Sequence, residues 1–376
     1  MDIIDLKARF KKWLMMPEYS VIDVTVGCIV ANIIPGETTN LYVVGPSGSG
    51  KTEVIRSLEG YAGVQGISRV TPATFVSGFG KKGAASLLNK LTKKGKVVVV
   101  MKDFTTVLSM RQEARGEILS QIREISDGKY DGFYGNDESV EWVGKLAFIA
   151  GVTNIIDEYS HAVQTLGERF LYYRIPRDNP IEVAEFSQGN SGLEDHMRRE
   201  LKGGVAEFME ELKIRRVEQF QEMAVRITSL SCMVAAARSV VSRNKFTGVH
   251  NYEPQAEGPS RITKQLTQLG AGIANVNGKE EIDDEVYGML KKVAVDTIPG
   301  MRYRIINWMA SNGCMNGDMA LTAQIGSGCN MTVNTARHHL EDFEIMEVAK
   351  KKVEGTSYSW GLAPGFVSFM RNSRVI

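Results

Sequence analysis

Eight consecutive residues, Gly45, Pro46, Ser47, Gly48, Ser49, Gly50, Lys51 and Thr52, restrict this chain more than any other segment. An apolar run at 41–44 precedes them and a stretch of helical spacing at 52–59 follows. The glycines let successive backbone N–H groups turn inward, which builds a cradle for anionic oxygens where a helix begins. Strand, glycine turn ending in Lys-Thr, and helix together read as a phosphate-binding loop. Lys51 then offers a point charge to the β- and γ-phosphates, and Thr52 a hydroxyl to Mg²⁺. ATP with Mg²⁺ is the expected ligand, and the fold that presents it is α/β.

The periodicity downstream agrees with such a fold. Residues 68–75 read as a second strand, 84–91 as a helix and 97–101 as a fully buried strand. An amphipathic helix at 110–126 leads to a Gly/Tyr-rich hairpin-like segment, then to strands at 146–152 and 170–175. Buried strands alternating with helices imply a parallel sheet covered on both faces. The expected domains are an N-terminal helical segment at 1–38, an α/β nucleotide-binding core at 39–180, a helical lid at 181–297, and a small α+β module at 298–376.

Composition narrows the partners. Lys+Arg number 45 against 44 Asp+Glu, so any nucleic-acid contact must come from local basic patches. Cys28, Cys232, Cys314 and Cys329 are scattered without a CxxC pair, which reads as reduced thiols in a cytoplasmic protein. The start is not that of a signal peptide, and the apolar stretch at 225–241 is interrupted by Arg226, Ser229 and Arg238, so no membrane span is expected.

The buried strand at 97–101 runs into Lys102-Asp103, where a metal-site acid is expected. The usual pattern ends in Asp-Glu, so two divisions of labour are open. Asp103 holds the metal with no glutamate after it, or Lys102 replaces the first acid and Asp103 takes the glutamate's place.

From here the order of motifs resembles the AAA+ superfamily over residues 20–297. The strand at 146–152 ends in Thr153-Asn154, similar to the polar sensor that orients the attacking water. Leu166-Gly167-Glu168-Arg169-Phe170 resembles the arginine-finger segment of minichromosome-maintenance-type helicases. Glu257-Gly258-Pro259-Ser260-Arg261 resembles the second sensor, with Arg261 as its arginine. The resemblance implies catalytic roles for Lys51, Asp103, Asn154, Arg169 and Arg261, with Thr52 and Asp103 at the metal. A finger supplied from a neighbouring subunit is a heterologous contact that can close into a ring, so a homo-hexamer is implied.

Two loops have the composition of a single-strand channel: Ser77–Gly83, with Phe79, Lys81 and Lys82, and Asp127–Gly135, with Lys129 and Tyr130. Glycine, an aromatic ring for stacking and lysine for phosphate are its ingredients. The last module looks like a winged helix-turn-helix. Helices are expected at 303–309, 319–325 and 332–343, with a turn at Gly326-Ser327-Gly328 and a two-stranded wing. Thr332, Asn334, Thr335, Arg337 and His338 fall where a recognition helix meets DNA, and Lys350, Lys351 and Lys352 fall on the wing. The whole reads as an ATP-driven DNA motor, resembling the compact replicative helicases of phages and mobile elements. An ATP-switched replication initiator or helicase loader, and a remodeller whose winged helix binds protein, are the alternatives.

Overall fold

The computed structural model describes residues 1–76, 87–133, 139–159, 168–241, 254–355 and 357–375. They fall into two compact units. Met1–Tyr159, Leu166–Glu218 and Gln268–Leu290 belong to the first, and Gln219–Thr267 and Lys291–Ile376 to the second.

The first unit begins with helices α1 (Ile3–Trp13) and α2 (Ser20–Ile33), then strand β1 (Asn40–Val44) and helix α3 (Lys51–Ser57). Strand β2 (Val64–Ile67), helix α4 (Leu87–Lys93), strand β3 (Val98–Met101) and helices α5 (Thr105–Leu108) and α6 (Gln112–Ser126) follow. A hairpin of β4 (Lys129–Phe133) and β5 (Ser139–Val143) precedes β6 (Ala147–Val152) and β7 (Phe170–Arg174). Helices α7 (Pro180–Gly189) and α8 (Glu194–Glu211) come after the sheet.

Five strands pair in parallel in the order β2-β3-β6-β1-β7. Every residue of β1, β3 and β6 is buried, as a sheet covered on both faces requires. The Tyr42 ring stacks on Phe170 with centroids 3.9 Å apart. Buried Asn40 ties the start of β1 to its neighbours: its carbonyl accepts from Phe148 N at 2.8 Å, and its amide donates to Ser126 Oγ at 2.9 Å and Arg169 O at 3.2 Å. Removing that amide would take the hydrogen-bond acceptor from the buried Phe148 N–H and untie β1 from Ser126 and Arg169.

The second strand is displaced from its expected place. It runs over Val64–Ile67, and residues 68–76 turn instead of pairing. Pro72 has no N–H for a ladder, and the Thr71 N–H is taken by Thr74 Oγ1 at 2.7 Å. Phe75 and Val76 stay buried without being strand. The helix expected at 84–91 is described as Leu87–Lys93.

The second unit holds α9 (Gln221–Arg238), and the chain then passes through α10 (Ser260–Val276) and α11 (Asp284–Asp296), each of which runs from one unit into the other. It ends with α12 (Gly300–Ser311), β8 (Ala320–Leu321), α13 (Thr322–Gly328), α14 (Val333–Ile345), β9 (Ala349–Glu354), β10 (Ser357–Leu362) and α15 (Pro364–Asn372). Its antiparallel sheet, in order β8-β10-β9, has three strands where two were expected, and α15 is an added helix that starts with proline at its first turn.

Gly326-Ser327-Gly328 is helix rather than turn. A side chain at Gly328 would run into the Trp308 indole, so glycine serves close packing there. The turn falls later, at Asn330, whose φ is 52°. Thr332 caps α14 by accepting from Thr335 N at 3.1 Å. Among the described residues, no helix is long and apolar enough to cross a membrane.

Candidate nucleotide site

β3, β6 and β1 are adjacent and parallel, so the segments leaving their carboxyl ends lie side by side, where open α/β sheets bind ligands. Those segments carry Asp103, Asn154 and Gly45–Thr52 respectively.

Gly48 and Gly50 have φ of 83° and 78°, a region that any side chain would enter only under strain. The Gly45 N–H donates to Val152 O at 3.1 Å and keys the loop to β6. A Cβ at Gly45 would come within 2.7 Å of Ser49 Oγ. That hydroxyl is itself buried with no hydrogen-bond partner among the described residues. An orphaned donor inside a glycine cradle is what a phosphate oxygen satisfies, so the loop fits ATP.

Lys51 is only 8% exposed, and its Nζ donates to Pro46 O at 2.8 Å. Burial pushes its pKa below the usual lysine value, and the Asp103 carboxylate works in the opposite direction. The Asp103 charge is therefore felt at Lys51. One of its oxygens accepts from Thr105 N at 2.9 Å, which fixes the turn into α5. Thr153 N–H donates to Thr105 Oγ1 at 3.2 Å, joining the segment after β6 to the segment after β3. Asn154 is exposed and opens the 3-10 turn Asn154–Asp157. Thr52 is the second residue of α3, one position past Lys51. Thr52 and Asp103 are a hydroxyl and a carboxylate, oxygen donors of the kind Mg²⁺ takes alongside phosphates.

Lys102 points elsewhere. Its Nζ lies 3.6 Å from Glu59 Oε1, beyond the far end of α3, and Lys202 Nζ lies 3.0 Å from Glu59 Oε2. Glu59 carries no local motif and escaped the sequence reading. The Arg174–Asp157 pair, with contacts of 3.1 and 2.6 Å, escaped it too. Arg174 lies opposite Val44, the residue before Gly45, and its signal was a charge at the end of a buried strand.

Arg169 precedes β7 and so lies at the amino edge of the sheet. The strand length puts it roughly 16 Å from the edge that carries the P-loop. Its guanidinium makes a bidentate pair with Asp127, both contacts 2.9 Å. Arg261 belongs to the second unit, where it lies 3.8 Å from Glu257. The same carboxylate accepts from Arg238, 1% exposed, at 2.8 and 2.9 Å.

Of the expected DNA contacts, Phe79, Lys81 and Lys82 lie outside the described residues. Lys129 is exposed at the start of β4 and pairs with Asp131 at 2.5 Å, while Tyr130 lies across from Trp142. On α14, Arg337 is 3.4 Å from Glu341. The wing lysines divide. Lys350 and Lys352 are exposed, whereas Lys351 has its ammonium 4.5 Å from the Tyr358 ring centroid and 3.5 Å from Glu344.

Residues 41–174 match the family model described as ATPase family associated with various cellular activities (AAA). The match runs from the start of β1 to the end of β7 and contains the whole cluster of Lys51, Asp103 and Asn154. No curated protein matches the chain.

Proposed function

We propose that this chain, whose residues 41–174 are an AAA ATPase domain, is an ATP-driven DNA motor that works as a ring, of the kind that serves as a replicative helicase in phages and mobile elements. The observation that carries the ring is the position of Arg169. A guanidinium at the amino edge of the sheet is too far from its own P-loop to touch the nucleotide there. It can act on ATP only in a neighbouring copy, and such a contact is heterologous and can close into a ring.

Within one copy the chemistry is divided by position. The loop's N–H groups and Ser49 Oγ hold phosphate oxygens. Lys51, already desolvated and held by a carbonyl, supplies its charge where negative charge builds during transfer. Asn154 orients the attacking water, and Asp103 accepts its hydrogen bond. Mg²⁺, held by Thr52 and Asp103, neutralises the phosphate oxygens when it is bound. Arg169 from the neighbour stabilises the transferring phosphoryl group.

The DNA side rests on the β4–β5 hairpin, with Lys129 and Tyr130, and on the helix-turn-helix and sheet of the last module, with Arg337, Lys350 and Lys352. The loader reading keeps one supporting fact. Lys102 is committed to Glu59, so the end of β3 presents one acid to Lys51, which suits slow turnover.

Strand displacement on forked DNA with ATP tests the proposal. The native chain should separate the strands and Lys51→Ala should not. ATP turnover without displacement would overturn the motor in favour of the loader.

A further inference from the structure

Lys102 stands beside the active-site acid, where a second acid is expected, yet its ammonium lies 3.6 Å from Glu59 Oε1 as an ion pair. Three observations fix it there. The Lys102 carbonyl is tucked against Gly151, where a Cβ would lie 2.5 Å from it, and the next peptide but one is tied by Phe104 N donating to Gly151 O at 2.7 Å. The Glu59 carboxylate that receives the ammonium is only 21% exposed and packs over Gly66, where a Cβ would meet its Cδ at 2.6 Å. The other oxygen of Glu59 pairs with Lys202 of α8, and a side chain at Gly60 would run into the Lys202 carbonyl, so α8 lies directly on this turn. Glu59 follows Lys51 by eight residues, which is roughly 12 Å along the helix axis. Lys102 is thus paired beyond the far end of the P-loop helix, while the Asp103 charge acts on Lys51 at its start.

We propose that Lys102 is a positioning residue: its ion pair with Glu59 ties the end of β3 to the turn that follows the P-loop helix and, through Lys202, to α8, and so fixes where Asp103 presents its carboxylate. The proposal rests on the reading of Asp103 as an active-site acid. It makes the lysine a working part of the site rather than a defect in an acid pair. A loosened carboxylate loses catalytic geometry while the glycine cradle still binds phosphate, so turnover falls with little change in nucleotide affinity.

The test uses the full chain and reads kcat, KM, and nucleotide affinity by calorimetry with and without Mg²⁺. Lys102→Met should lower kcat about ten- to a hundredfold, leave affinity without Mg²⁺ within about threefold, and weaken the gain that Mg²⁺ brings. Lys102→Arg should restore most of the turnover. Glu59→Gln should reproduce the loss, also where Lys102→Met does not fold, and the double variant should be no worse than either single one. Lys102→Asp should turn over more slowly than Lys102→Met, because it sets a carboxylate against Glu59. Asp103→Asn separates the two ideas. If it is inactive while Lys102→Asp equals or exceeds the native chain, the positioning role is wrong. If Asp103→Asn turns over like the native chain, the active-site reading beneath it fails, and the proposal with it.

Discussion

His339, half-buried on α14, shows how one group sets a pH response. Burial is the main cause that pushes its pKa from the usual 6.5 down to about 4, helped by Arg302 and His338 and opposed by Asp342. Between those values the unfolded chain takes up a proton that the folded chain refuses. Stability contributed by the neutral ring is complete above pH 6.5 and is lost as pH falls towards 4. The loss is on the order of 2–3 kcal/mol. His339→Gln should flatten the acid side of a stability–pH profile measured by urea unfolding. An unchanged acid limb in that variant would assign the acid sensitivity to other groups. Arg302, beside it, donates to the carbonyls of Ala237 and Ser239 and to Asp342 at 3.0 Å, so a charge at His339 would meet a fixed guanidinium.

Two elements carry predictions about partners. Asp127 ends α6 just before the β4–β5 hairpin, and it holds Arg169 in a bidentate pair. In the ring reading, Arg169→Ala should keep nucleotide binding and lose about a thousandfold or more in DNA-stimulated turnover. Mixing it with Lys51→Ala should restore part of the activity, because a native finger then meets a native P-loop across some interfaces. Proven co-assembly without any recovery would end the trans assignment. The wing offers an internal control. Lys350→Gln or Lys352→Gln should each reduce the log–log salt slope of duplex binding by about 0.9. Lys351→Gln should leave the slope alone and lower the unfolding temperature, since that side chain lies over the Tyr358 ring beside the buried Trp360. Equal slopes lost at all three positions would mean that Lys351 leaves its ring to reach phosphate.

At the scale of the molecule, the two units make a truncation informative. α9, with Leu230 and Val234 fully buried, packs along α15 and touches α12 within the second unit. Removing residues 298–376 takes both partner helices away and uncovers that face. The shortened chain should aggregate on light scattering, whereas the same scan on the full chain should not. A monodisperse shortened chain with native ATP turnover would show that α9 needs neither helix. The P-loop was readable at once because its function belongs to consecutive residues: two positive φ angles, a lysine and a hydroxyl at the start of a helix are set by local backbone chemistry. Fully buried strands were readable for a similar reason, since a run such as Val98–Met101 fits only a sheet covered on both faces. The second strand was misplaced because β-branched residues near Pro72 fill a buried turn as readily as a strand. Which acid acts on Lys51, where the Lys102 ammonium pairs and what holds Arg169 could not be read from neighbours in the chain. Those answers depend on which strands lie side by side. The order β2-β3-β6-β1-β7 aligns three strand ends at one edge and sends Arg169 to the other, and the fold brings Lys102 and Lys202 to the two oxygens of Glu59 from distant parts of the sequence.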